Sequence, residues 1–267
     1  MFFIVGSLEQ LKILIKLKTR QIIHLKFDTG MHRQGILYHQ LDEVIHILNK
    51  KTTIQINGIM SHLADADNPN SKLTELQIER WNKLAKQFQK NFSNIRYYHL
   101  ANSAGFAYAK DIIANIGRTG IALYGINQEN LLSKFQPVLR MNSIISEIRT
   151  IAPNESVGYN GTFVAQHKMK IATVPAGYFE GVDRRLSNKG FFLIKNKLAP
   201  LCGRVSMNIS SCDITDIVNA VIGSPINIIS NYSEDQNSVK NIAKLCDTIS
   251  YEILAHLPSH LRRIIIK

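Results

Sequence analysis

Cysteine is scarce: Cys202, Cys212 and Cys246 are the only three in 267 residues. The number is odd and no CxxC pair occurs, which argues against a disulfide framework or a zinc site and for ordinary reduced thiols. Long apolar runs are missing too. No stretch reaches the roughly 18 apolar residues that a membrane-spanning helix needs. The opening Met1-Phe2-Phe3-Ile4-Val5-Gly6 is too short for a leader's hydrophobic segment, and no basic residue precedes it. A cytoplasmic protein with no membrane partner and no metal is the expectation. Internal repeats and low-complexity tracts are absent as well. Acidic residues number 20 against 32 basic ones, a formal charge of +12. The lysines are scattered, as at Lys12, Lys16, Lys18 and Lys50-Lys51, without a dense block of basic and aromatic residues. A nucleic-acid partner is therefore not expected, whereas the positive field suits phosphates and carboxylates.

What remains is a globular composition, with 45% hydrophobic and 19% charged residues. The length leaves room for two domains. Residues 1–127 alternate short apolar runs with amphipathic stretches. Strands are expected at Phe2–Val5, Ile22–Phe27, Ile54–Met60, Ile95–Leu100 and within Ile112–Ile121. Helices are expected at Leu8–Leu17, Leu41–Leu48, Leu73–Phe88 and, briefly, after Asn102. On the long helix Leu73, Leu76, Trp81 and Leu84 recur near the helical period. This alternation implies βαβ units and a parallel sheet. In residues 128–267 the pattern shifts to short strands between Gly, Asn and Pro turns: Val138–Ile151, Met169–Pro175, Gly190–Lys195, Leu201–Met207 and Ile226–Ser230. A mostly antiparallel β-domain follows. Ser238 reads as the N-cap of a helix through Leu245, and Tyr251–His256 as another helix.

The chemistry falls at one kind of place. Lys26, Asp28 and Arg33 follow one strand, Ser61-His62 the next, His99 through Ser103 the next, and Arg118-Thr119-Gly120 the last. Each cluster lies at or just beyond the C-terminal end of an expected parallel strand, the edge on which a (β/α)₈ barrel builds its active site. Singly, each residue could serve packing or a turn alone. Together they offer hydroxyl, backbone N–H and guanidinium groups, a set suited to a phosphate-bearing cofactor or substrate.

The same segments resemble the alanine racemase family. The motifs are His24-Leu25-Lys26-Phe27-Asp28-Thr29-Gly30-Met31-His32-Arg33-Gln34-Gly35, Met60-Ser61-His62-Leu63-Ala64, Ala101-Asn102-Ser103-Ala104 and Arg118-Thr119-Gly120-Ile121-Ala122-Leu123-Tyr124-Gly125. Further on come Glu155-Ser156-Val157-Gly158-Tyr159, Ala176-Gly177-Tyr178, Gly203-Arg204-Val205-Ser206-Met207 and Ile249-Ser250-Tyr251-Glu252. They stand in family order across nearly the whole chain. The resemblance implies a TIM barrel, here about five of eight βα units, followed by a β-domain. It implies pyridoxal 5'-phosphate as cofactor, interconversion of L- and D-alanine to supply D-alanine for peptidoglycan, and a homodimer. It makes Tyr159 the base on one substrate face, supplied from the partner subunit, with His62 and Arg118 behind it. Arg118 also faces the cofactor's pyridine nitrogen and His99 supports it. Ser103, Gly120, Ile121 and Tyr251 hold the phosphate. Arg33 binds the phenolic oxygen and the substrate carboxylate, and Met207 offers that carboxylate its N–H. Lys26 sits where some members carry a carbamylated lysine. Tyr178, Arg184, Arg204 and Asp67 line the substrate's access channel.

Two departures stand out. Asn208 follows Met207 where the family usually has aspartate. And no segment resembles Lys-Ala-Asn-Ala-Tyr-Gly, whose lysine captures the cofactor and serves the other substrate face. The expectation is a shortened or split racemase, inactive and unstable alone, needing a separate N-terminal fragment. The alternatives are a non-catalytic remnant or dimerisation module, or a racemase of another small amino acid. Upstream DNA encoding the lysine motif distinguishes the first reading from the remnant.

Overall fold

The computed structural model describes residues 3–17, 19–50, 53–126 and 135–266. The chain divides into two compact units, one running to Leu123 and the other comprising Tyr124–Ile126 and the residues from Phe135 onward.

The first unit starts with strand β1 (Phe3–Val5) and helix α1 (Leu8–Lys16), whose N-cap Ser7 accepts the Gln10 N–H. Then come β2 (Gln21–Asp28), the short β3 (Ile36–Leu37), α2 (Leu41–Asn49), β4 (Ile54–Met60), α3 (Lys72–Asn91) and β5 (Tyr97–His99). The sheet order is β1-β2-β4-β5, all parallel, with β3 added beside the end of β2. Apolar side chains of β2 and β4 (Ile23, Leu25, Phe27, Ile59) pack on Leu11 of α1, Val44 of α2 and Trp81, Leu84 and Phe88 of α3 in one core. Helices covering a parallel sheet is the arrangement of a barrel wall.

Two details depart from the sequence-based expectation. The buried face of α3 is Thr74, Gln77, Trp81, Leu84, Ala85 and Phe88, whereas Leu73 and Leu76 are exposed. Residues 112–121 do not form a fifth strand. Trp81 Nε1 donates to Ile113 O at 3.0 Å, while the Asn82 amide bonds Asp111 O and Ile113 N. The Asn115 side chain then bridges the Tyr98 N–H and the Arg96 carbonyl, standing in for a peptide at the edge of β5. The Asn115 N–H bonds Tyr98 O and the Arg118 N–H bonds Ala101 O, but side chains take the groups between, so no regular ladder forms. The segment after Asn102 is a 3₁₀ turn, Ala104–Tyr108.

The second unit is antiparallel: β6 (Met141–Ile144), β7 (Glu147–Ile151), β8 (Ser156–Val157), β9 (Phe163–Val164), β10 (Met169–Val174), β11 (Phe191–Ile194), β12 (Lys197–Pro200), β13 (Ser210–Asp213) and β14 (Pro225–Ile229). They form the sheets β13-β10-β7 and β12-β11-β14-β6 and the pair β8-β9. The single long run expected over Val138–Ile151 is two strands. The chain changes sheets at the buried Ile145, whose N–H bonds Ser224 O, while the next residue, Ser146, donates to Thr173 O. The strand expected over Leu201–Met207 is absent too. Ser206 N–H turns back to Ile209 O, and the Ser206 and Met207 carbonyls accept from Tyr178 and Phe179. Helices α4 (Val239–Leu245), capped by Ser238, and α5 (Ser250–Ala255) end the unit.

The three cysteines are free and buried. Burial pushes the Cys202 thiol up to about 12 and the Cys246 thiol up to about 11, with Cys212 raised as well. The native chain at pH 8 should therefore react with a thiol reagent over hours, and all three thiols within minutes once denatured. A native thiol titrating at once would show an opening that burial does not account for.

Candidate active site

β2, β4 and β5 end together, and the polar residues of the first unit lie on the loops leaving that edge. Asp28 Oδ1 accepts the Gly30 and Met31 N–H groups, folding the chain after β2 into a turn. The loop returns through Gly35, where φ is +141° and a Cβ would lie 2.6 Å from Asp28 N, so only glycine fits. This turn carries Arg33. Lys26, buried at the end of β2, donates from Nζ to Gln34 Oε1 at 2.9 Å. Burial, then Arg33 and Arg118, lower its pKa.

Gln77 ties the next loop down. Its Oε1 accepts the Ala64 N–H at 2.8 Å, and its Nε2 donates to His62 O at 2.9 Å and to Thr29 Oγ1 at 3.3 Å. Thr29 Oγ1 in turn lies 2.9 Å from Ser61 Oγ. One fully buried amide thus fixes the ends of both β2 and β4 and sets where His62 stands. Gln77→Leu strands these groups and should cost about 2–4 kcal/mol, from roughly 1–3 kcal/mol per unsatisfied buried partner. Urea unfolding measures it; a loss under about 0.5 kcal/mol would show the clamp to be dispensable.

At the centre is Arg118. Its guanidinium donates to Ser61 O at 2.6 Å, His99 O at 3.0 Å and Leu100 O at 3.3 Å. It also reaches His99 Nδ1 at 2.9 Å and His62 Nδ1 at 3.3 Å. Arginine has no lone pair to offer, so both imidazoles accept from it and carry their own proton on Nε2. Burial, and then the charge of Arg118, hold His62 and His99 down at about 4, neutral at physiological pH. Among the described residues, the groups that accept from this guanidinium are carbonyls and imidazoles, not carboxylates. Nearby, Ser103 Oγ collects the Gly120 N–H at 2.9 Å and the Ala122 N–H at 3.3 Å where the 3₁₀ turn Ile121–Tyr124 begins. A Cβ added at Gly120 would meet nothing within 4 Å, so the turn has free space beside it. Asp67 stands apart from the cluster, adding to burial and Asp65 in raising the Tyr108 phenol.

The second unit groups its own residues. Tyr159 is 68% exposed on a 3₁₀ turn that follows Gly158. That glycine packs against Gly203 and Arg204, a Cβ there lying 3.4 Å from Arg204 N. Tyr178 is bonded through its N–H to Ser206 O at 3.0 Å, next to the exposed Met207. Glu180 joins the two loops: Oε2 accepts the Gly177 N–H and Oε1 accepts from Asn208 Nδ2, both at 2.8 Å. An aspartate at 208 would set two carboxylates face to face, so the amide has a physical reason. Tyr251 is 43% exposed on α5. Arg184 is exposed on a short turn with Arg185. Arg185 pairs with Asp183 at 2.6 Å and with Glu252 at 3.3 Å, tying that turn to the helix that bears Tyr251.

The family profile for the alanine racemase N-terminal domain matches residues 2–128, and that for the C-terminal domain matches residues 138–265. The chain belongs to the alanine racemase family. It is 32% identical over 265 residues to the alanine racemase of Sorangium cellulosum, covering 97% of this chain and 70% of that one. The biosynthetic alanine racemase structure from Pseudomonas aeruginosa superposes with TM-score 0.85 at 28% identity, over 98% of this chain and 72% of that one. The alanine racemase of Bartonella henselae, solved with covalently bound pyridoxal phosphate, shares the fold with TM-score 0.85 at 24% identity, over 98% of this chain and 72% of that one. The fold is thus that of the family, a partial TIM barrel and a β-domain, and the chain is a racemase of the isomerase class. Gln77 fixes the loop that carries His62, Glu180 joins the loops of Tyr178 and Met207, and Arg185 ties its turn to α5; none of the three belongs to the motifs quoted from the sequence. Only the spacing of Gln77 on the buried stripe of α3 could have flagged it. Among the described residues there is no helix long and apolar enough to cross a membrane and no cluster able to hold a metal.

Proposed function

We propose that this chain forms the larger part of an alanine racemase that interconverts L- and D-alanine with pyridoxal phosphate. Its lysine-bearing βα segment lies outside these 267 residues and is supplied in cis or as a separate fragment. The boundary near residue 127 separates the cofactor-holding part from the β-domain. The observation that carries the reading is Arg118, a guanidinium satisfied by three carbonyls and two neutral imidazoles.

The residues suit the cofactor by the chemistry of their donors. A hydroxyl and N–H groups at the start of a turn match a phosphate. Bound, pyridoxal phosphate supplies the electron sink that makes an amino acid's α-proton removable. By the family resemblance, Ser103, Gly120 and Ile121 would hold the phosphate, as would Tyr251. Arg118 would face the ring nitrogen as a donor that keeps its proton, so that α-deprotonation would depend on well-placed bases. Arg33 binds the substrate carboxylate, with the Met207 N–H as a second donor. Lys26 positions Arg33, carbamylated or not. Tyr159, contributed across a homodimer, would take the α-proton on one face as its phenolate and return it as the phenol; His62, with its proton on Nε2, would donate toward that oxygen. Asp67, Tyr178, Arg184 and Arg204 select what enters. Three buried thiols fit a reducing cytoplasm.

Co-expression with the first three βα units of a close relative is the direct test. Racemisation of alanine in the reconstituted protein supports the proposal. A soluble, correctly associated pair with no activity toward alanine refutes it.

A further inference from the structure

β2 and β4 pair in simple register from Gln21 with Ile54 to Ile23 with Ile56, and then the register slips so that His24 faces Gly58. The extra residue, Asn57, is buried. A bulge in the middle of a parallel sheet needs a reason. Here it is the His24 ring. A Cβ at Gly58 would lie 2.8 Å from His24 Cε1 and Nδ1, so the bulge and the glycine together open a slot that the imidazole fills. Tyr97 borders the slot with its ring centroid 5.6 Å away. From it, His24 Nδ1 lies 3.0 Å from His99 Nε2, the two rings meeting edge to face.

The bond directions follow from one end. Arg118 can only donate, so His99 Nδ1 accepts. His99 is neutral, held at about 4 by burial and then by Arg118 and His24. Its proton is therefore on Nε2, and His24 Nδ1 must accept it. We propose that His24 is a positioning residue for the racemase site: by accepting the His99 Nε2 proton it obliges His99 to show Arg118 a lone pair. With the proton on Nδ1 instead, N–H would oppose N–H and the guanidinium would be pushed off its seat. The catalytic consequence rests on the reading of Arg118 as the cofactor's ring partner; the tautomer does not.

The test has two arms. Nitrogen-15 long-range correlation spectra of histidine-labelled chain, alone and joined by the added segment, report each imidazole's tautomer at pH 7. His99 should show a protonated Nε2 and a bare Nδ1. His24→Phe fills the slot but accepts nothing, and should give a mixture of His99 tautomers. His24→Asn puts a carbonyl oxygen near the old Nδ1 position and should restore the single form, although it fills the slot less well. A role in packing alone would rank the two variants the other way. In the reconstituted enzyme His24→Phe should lower kcat about tenfold with the alanine KM within about twofold, the scale on which partners one layer out act, and His24→Asn should recover most of the loss. A wild-type His99 protonated on Nδ1 or on both nitrogens overturns the proposal, even if the phenylalanine variant fails to fold. A scrambled tautomer with full kcat overturns the positioning role while leaving the pairing. Should the reconstituted protein not racemise alanine at all, the spectra still decide the hydrogen bond.

Discussion

Mixed with pyridoxal phosphate and either enantiomer of alanine, the purified 267-residue chain is expected to racemise neither and to release all of its cofactor on dialysis. Covalent capture needs an unprotonated lysine aimed at the site. Lys26 is the single buried lysine among the described residues, and its Nζ is engaged by Gln34 beside Arg33 and Arg118. Its lowered pKa gives it the reactivity, but its role beside Arg33 points it to positioning. Borohydride reduction followed by peptide mass analysis decides the matter, because an adduct at Lys26 would overturn the assignment of the missing base. With the added segment present, activity should appear, and Tyr159→Phe should then lower kcat/KM by about 10²–10⁴-fold, the range for a lost general base. Both directions must fall together, since the two enantiomers are equal in free energy. Cofactor retention should not change. Undiminished turnover in Tyr159→Phe would place the second base elsewhere.

Most of the first unit's site was legible because parallel strands place chemistry at one edge. Lys26, Arg33, His62, His99 and Ser103 stand at or just past the ends of their strands, and Arg118 joins them from a segment that is not a strand. What was hidden follows from physics that no local pattern carries. The spacing of Gln77 puts it on the buried stripe of α3, but no pattern says that its amide matches three backbone and hydroxyl groups inside the core. His24 looks like one polar residue in an apolar strand; its meaning depends on a bulge one strand away. The apolar run over Val138–Ile151 satisfies two sheets in turn, and periodicity cannot show a change of partner. The segment 112–121 has strand-like composition, but α3 and the Asn115 side chain take part of the hydrogen bonding and leave only scattered backbone bonds to β5. Asn208 looks in the sequence like a bare departure from a pattern, and only the facing Glu180 accounts for it.

Trypsin at neutral pH should remove the first unit of the isolated chain well before the second, with early cuts at Lys16, Arg20 and Lys50 and a fragment from about Phe135 onward persisting. The first unit's sheet pairs β1 on one side only, leaving Phe3 46% and Ile4 58% exposed, and β5 meets a segment that forms no ladder. Edges of that kind find another chain or open locally. The second unit closes its strands into antiparallel sheets of its own. Acid should widen the gap. His62 and His99 titrate near 4 when folded and near 6.5 when unfolded. Between those values the unfolded chain binds more protons, so stability is full above about 6.5 and falls as pH drops toward 4. For the well-buried His99 alone the loss at pH 4 is about 3 kcal/mol, since each pH unit between the unfolded and folded values is worth about 1.4 kcal/mol. His62→Asn and His99→Asn variants, compared by urea unfolding at pH 7 and pH 4.5, should lose less stability on acidification than the wild type even where they start lower. Equal acid sensitivity in all three, or a first unit that outlasts the second under trypsin at pH 7, would mean that the half-open sheet is sealed by contacts other than these imidazoles and strands.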